Sequence, residues 1–117
     1  MLRLLLAAAL LAVLTLPVGA SGNPIVPQLT ANVTATSITL VGANGKRVRV
    51  LQPNLYKIVV HDRTGKQNFH LVGPSLNLKT SLRGKGSSGW AIVLKAGTFR
   101  YYSDGSPSKL KGSFRVR

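Results

Sequence analysis

A chain of 117 residues is too short for two ordinary domains, and 16 lysines and arginines against 2 acids give it a formal charge of +14. It has no cysteine, which excludes disulfides, thiolate metal sites and a cysteine nucleophile. Paired-carboxylate catalysis would require its two acids, Asp62 and Asp104, to meet, and both instead sit in turn-forming contexts (Asp62-Arg63-Thr64-Gly65 and Asp104-Gly105).

Residues 1–20 read as an export signal. Arg3 supplies a positive start, Leu4 to Leu16 form an apolar run, and Pro17 breaks it before the small residues Val18-Gly19-Ala20. The run is shorter than the roughly 18–20 residues that span a bilayer, so cleavage before Ser21 is expected rather than anchoring. Loss of Arg3 with that segment lowers the charge from +14 to +13. Residues 21–36 (SGNPIVPQLTANVTAT) carry no charge and are rich in Pro, Asn, Ser and Thr. They read as an extended leader or linker, pairing at most as an edge strand. Asn32-Val33-Thr34 within it matches a glycosylation sequon, a triplet that also arises by chance.

From Ser37 the pattern is β. Ile38 to Val41 leads to the turn Gly42-Ala43-Asn44-Gly45, whose Asn-Gly pair is a hairpin signal. Arg47 to Leu51 alternates, which predicts Val48 and Val50 on one face and the arginines on the other. Further strands are predicted over Tyr56 to His61, Asn68 to Val72, Trp90 to Leu94, Phe99 to Ser103 and Ser113 to Val116. The stretch Ser75 to Ser88 reads as one short strand near Lys79 to Leu82 plus a Gly/Ser loop. Tyr56, Phe69, Trp90, Phe99, Tyr101 and Phe114 fall at inward positions and read as core. Tyr102 falls on the other face, beside Arg100.

Two stretches together carry a resemblance. Asn68-Phe69-His70-Leu71 runs into Gly73-Pro74, and Gly97-x-Phe99-x-Tyr101 is followed by Leu110-x-Gly112-x-Phe114. This resembles the small secreted cupredoxin-like (plastocyanin-type) domains. The resemblance implies an all-β, antiparallel Greek-key β-sandwich of about 7–8 strands over residues 37–117. It also implies where the copper ligands of such a domain would lie. The first His position falls on Gln67, the Cys on Ser103, the second His near Ser106 and the axial Met on Leu110. A type 1 centre needs two imidazoles and a thiolate, so these degenerate positions argue against one.

His61 and His70 are the remaining imidazoles. Facing each other across a hairpin, with Asp62 nearby, they would offer a weak metal site. The cations cluster at turns: Lys46, Arg47 and Arg49 at one hairpin, and Lys109 and Lys111 in the former ligand loop. They are the candidate anion-binding residues. The expectation is a secreted, non-enzymatic binding or structural module that needs no cofactor. Its partner would be a polyanionic cell-surface polymer or an acidic protein. Export and the lack of an exposed aromatic series speak against nucleic acid. The alternative is a copper-binding or electron-transfer cupredoxin with an atypical site at His61 and His70.

Overall fold

The structure, a computed structural model, describes residues 25–117; the expected export signal lies outside the described residues. Nine strands run through them: β1 (Gln28–Val33), β2 (Ile38–Val41), β3 (Val50–Leu51), β4 (Asn54–Asp62), β5 (His70–Gly73), β6 (Leu76–Lys79), β7 (Gly86–Leu94), β8 (Gly97–Tyr102) and β9 (Lys111–Val116). One sheet has the order β2-β1-β4-β7 and the other β3-β9-β8-β5-β6. The fold is an all-β sandwich of two mixed sheets.

Alternation builds the core. β4 turns Tyr56, Ile58 and Val60 inward and Leu55 and Lys57 outward, and β8 and β9 bury Phe99, Tyr101, Phe114 and Val116. Each fully buried apolar side chain of this size contributes about 1.5–3 kcal/mol. Phe99 stacks on Phe114 at 5.3 Å and Phe69 on Tyr101 at 5.5 Å, while Phe69 reaches Trp90 of the opposite sheet at 6.3 Å. The rings of Phe99 and Tyr101 lie over Gly73 and Gly112, where a Cβ would overlap them. With no disulfide available, these contacts hold the two sheets together.

The pairing departs from expectation in several places. Segment 28–33, read as part of a leader, is an interior strand: β1 pairs with β2 and runs parallel to β4, burying Leu29, Ala31 and Val33. Asn32 is thus half-buried in mid-sheet opposite Thr39 and His61. A second parallel pair joins β3 to β9, so the sheets are mixed rather than purely antiparallel. The short strand expected near Lys79 to Leu82 lies at Leu76–Lys79, and the Gly/Ser stretch from Gly86 is pulled into β7 by its ladder with β4.

The segment around Arg47 changes sheets. Val48 N donates to Leu40 O of β2 at 2.9 Å, whereas Arg49 O accepts from Arg115 N of β9 at 2.9 Å. Alternation is reset at that crossing. Val48 is buried, Val50 faces out at 51% exposure, and Leu51 packs on the core.

Candidate functional site

One end of the sandwich gathers Gln67, Ser103 and Ser106. The strand β8 ends at Tyr102, and the chain then turns through Ser103 to Leu110, with Ser106 N donating to Ser103 O and Leu110 N to Ser106 O. This turn lays Ser103 against the segment that enters β5. Ser103 Oγ donates to Gln67 Oε1 at 2.5 Å and accepts from Asn68 N at 3.1 Å and Gly105 N at 3.2 Å. Gln67 Nε2 donates to Ser106 Oγ at 3.2 Å. Leu110 is buried and returns its carbonyl to Ser103 N.

These side chains do not fit a type 1 copper ion. They offer neutral oxygens and an amide, without a thiolate or an imidazole, and their polar atoms satisfy one another in a nearly dry place. The Ser103 hydroxyl alone takes part in three hydrogen bonds.

Asn68 links this end to the neighbouring turn. Its Nδ2 donates to Thr80 O and Asp104 Oδ2, both at 2.9 Å, and its Oδ1 accepts from Asp104 N at 2.7 Å. Asp104 Oδ1 lies 2.9 Å from His70 Nδ1, and His70 Nε2 lies 2.6 Å from Asn77 Oδ1. Burial alone would raise the Asp104 carboxyl. The hydrogen bonds from His70 and Asn68, with the charges of His70 and Lys79, outweigh that and hold it below its ordinary value. The sequence marked Asp104 only as a turn former.

The two histidines are not brought together. His61 is on β4 of the four-stranded sheet and His70 on β5 of the five-stranded sheet, so no hairpin joins them. His61 Nδ1 instead meets Ser87 Oγ at 2.7 Å. The hairpin expectation failed because β4 and β5, though consecutive, belong to opposite layers. Among the described residues, no three His, Asp or Glu side chains gather where they could hold a metal ion.

The cations converge instead. Lys46, Arg47 and Arg49 line a groove of 600 Å³ beside Tyr56 and Gln52. Arg47 also lines a second cavity, of 400 Å³, with Arg100, Lys111, Tyr102 and Pro107. Arg47 thus joins two recesses into one basic track along the β2–β9 side of the molecule. No carboxylate lines either recess. Lys109 stays in the turn and lines neither. Arg100, whose guanidinium lies 6.0 Å from the Tyr102 ring centre, is the member that strand periodicity alone did not single out. Tyr102 is half-buried, its ring 4.8 Å from that of His70.

Sheet order and side-chain contacts together define an all-β sandwich with a hydrogen-bonded polar cluster at Gln67, Ser103 and Ser106, the positions where the resemblance would put copper ligands. The chain is similar to rusticyanin from Thiobacillus ferrooxidans (14% identity, TM-score 0.49, 77% of this chain and 76% of that one covered). It is also similar to Lac15 from a marine microbial metagenome (18% identity, TM-score 0.41), where 77% of this chain covers 31% of that longer one. No protein-family model and no curated protein matches the sequence.

Proposed function

We propose that this protein is an exported, non-catalytic binding module for an acidic polysaccharide at a cell surface, working without a cofactor. One observation carries the reading: Arg47 lines both basic recesses, joining Lys46 and Arg49 to Arg100 and Lys111 in a track without a carboxylate.

The electrostatics of the rest of the surface point the same way. Among the described residues, the only ion pair within contact distance is His70–Asp104, so no lysine or arginine there is in contact with an acid. Asp62 is buried and Asp104 is bound to Asn68 and His70. Unpaired cations on a continuous track attract a polymer of repeating negative charge, and each contact releases condensed counterions. A linear polysaccharide suits an elongated track better than a folded acidic protein does. Val50 is the one exposed large apolar side chain that lines the track, and none of the aromatics lining it is exposed.

The test is binding of the purified chain to immobilised heparin and to alginate across a salt series. Wild-type affinity is expected to fall about a hundredfold from about 50 to about 200 mM salt. Arg47→Ala/Lys111→Ala should abolish retention at moderate salt, while Lys57→Ala/Lys95→Ala, with the same charge change elsewhere on the surface, should retain most of it. Equal losses in the two double variants would reduce the effect to net charge and overturn the track. Binding to an acidic protein but to neither polymer would overturn the polysaccharide.

A further inference from the structure

The cations are unevenly shared between the two sheets. Strands of the five-stranded sheet carry Lys79, Arg100, Lys111 and Arg115, whereas Lys57 is the one lysine or arginine within the strands of the other. β7 closes that four-stranded sheet at one edge. It is nine residues long, Gly86 to Leu94, with neither a charged residue nor a proline. Edge strands ordinarily carry such residues, because an open row of N–H and C=O groups templates pairing with another chain. Apolar side chains are uncovered on both faces of β7. Val93 is 61% exposed beside Leu55 on the outer face, and Trp90 and Ile92 are only half-buried on the inner one. Nothing inside the molecule demands the glycine at 89. A Cβ there would meet Ile58 O at 3.4 Å and Val59 Cγ2 at 4.0 Å, which are ordinary contacts. Such a glycine in a strand suits the close approach of another backbone.

We infer that β7 pairs antiparallel with β7 of a second copy, joining two four-stranded sheets into one of eight strands. A twofold axis near the middle of the strand sets the small half of one copy, Gly86 to Gly89, against the larger half of the other, Trp90 to Leu94. The strand is its own complement in that orientation, and the assembly closes at two because each copy uses up its edge. Charge favours this approach over one through the other sheet. A copy of so cationic a chain is repelled least where strands carry fewest cations. Lys85 and Lys95 lie just beyond the two ends of β7, so each end of the pair brings one of each together. Salt screens that repulsion and strengthens the pairing, the opposite of its effect on binding a polyanion. β2 lies at the far edge of the same sheet, so the basic track beside it stays open in the dimer.

The experiment follows the purified chain by sedimentation velocity from about 10 μM to about 1 mM, at about 50 and about 500 mM salt. The dimer fraction is expected to rise with both protein and salt. Hydrogen exchange should slow about tenfold or more in the dimer at alternate residues of 86–94, those whose N–H points away from β4. Ala91→Lys, at an exposed position of β7, sets like charges beside the axis and should weaken dimerisation about tenfold or more. Circular dichroism should show its fold intact. Thr39→Lys adds the same charge on β2 at the other edge of the sheet and should leave dimerisation unchanged. A chain that stays monomeric throughout would overturn the pairing, and polysaccharide retention by that monomer would leave the basic track standing. A dimer whose residues 86–94 exchange as fast as in the monomer would overturn it too, as would equal weakening by the two variants. Protection of residues 86–94 in a monomer would mean that another segment of the chain covers the edge, and would overturn the second copy.

Discussion

Asn68 and Asp104 clasp each other at two points: the Asp104 backbone N–H donates to Asn68 Oδ1 at 2.7 Å, and Asn68 Nδ2 donates to Asp104 Oδ2 at 2.9 Å. The pair fastens the entry to β5 onto the turn that follows β8, two segments more than thirty residues apart in sequence. Asn68 is 1% exposed, so an unmatched partner there would not find water. Asn68→Ala should therefore lower the unfolding free energy by about 2–4 kcal/mol, read from urea denaturation. A loss below about 0.5 kcal/mol, the level of an ordinary surface substitution, would mean that the clasp adds nothing to the fold.

The two acids should respond to pH with opposite signs. Asp104 has a lowered pKa in the fold, so its stabilising contribution is present above the unfolded value and lost as pH falls through the folded one. Asp62 is the reverse: burial raises it, against the smaller lowering effect of the Thr64 N–H bond. Its protonated form favours folding below 3.8, and that contribution is lost as pH rises through the folded value. Denaturation at neutral pH should find Asp104→Asn less stable than wild type and Asp62→Asn more stable. Near pH 3 both differences should shrink towards zero. A common sign for the two variants at neutral pH would refute these environments.

Because Gln67 already touches Ser103 and Ser106, the donor set of a copper centre is three substitutions away. Gln67→His/Ser103→Cys/Ser106→His, loaded with Cu(II), is expected to show the intense visible absorption of a copper–thiolate bond. Wild type and Ser103→Cys alone should stay colourless. A colourless triple variant that is folded by circular dichroism would show that the three positions do not converge as ligands.

Much of this architecture was legible because it is local. The Asn44-Gly45 signal lands on a turn in which Gly45 has φ 78°, and Gly42 O accepts from Gly45 N. The inward series Phe99, Tyr101 and Phe114 is simple alternation, and the structure buries all three. Even the convergence of Gln67, Ser103 and Ser106 followed from a spacing that a family resemblance made readable. What escaped is what pairing partners decide. β1 has weak apolar residues and no charge pattern, and it becomes a strand because β4 offers a parallel ladder from Gln28 to Val33. Gly86 to Gly89 has little β-propensity of its own, yet it is held opposite Val59 to Asp62. Alternation puts Val48 and Val50 on one face because it cannot foresee a chain that leaves one sheet for the other at Arg49. Layer membership also separated His61 from His70, and no residue near either announces it.

The place of β9 in the five-stranded sheet sets an order of events. The last strand in chain order lies between β3 and β8, parallel to one and antiparallel to the other. Until it has left the ribosome, β3 has no neighbour in its sheet, and Phe99 and Tyr101 lack the Phe114 ring and the Gly112 floor beneath them. A nascent chain lacking residues 111–117 therefore cannot complete its core, and the sandwich closes only once β9 has been made.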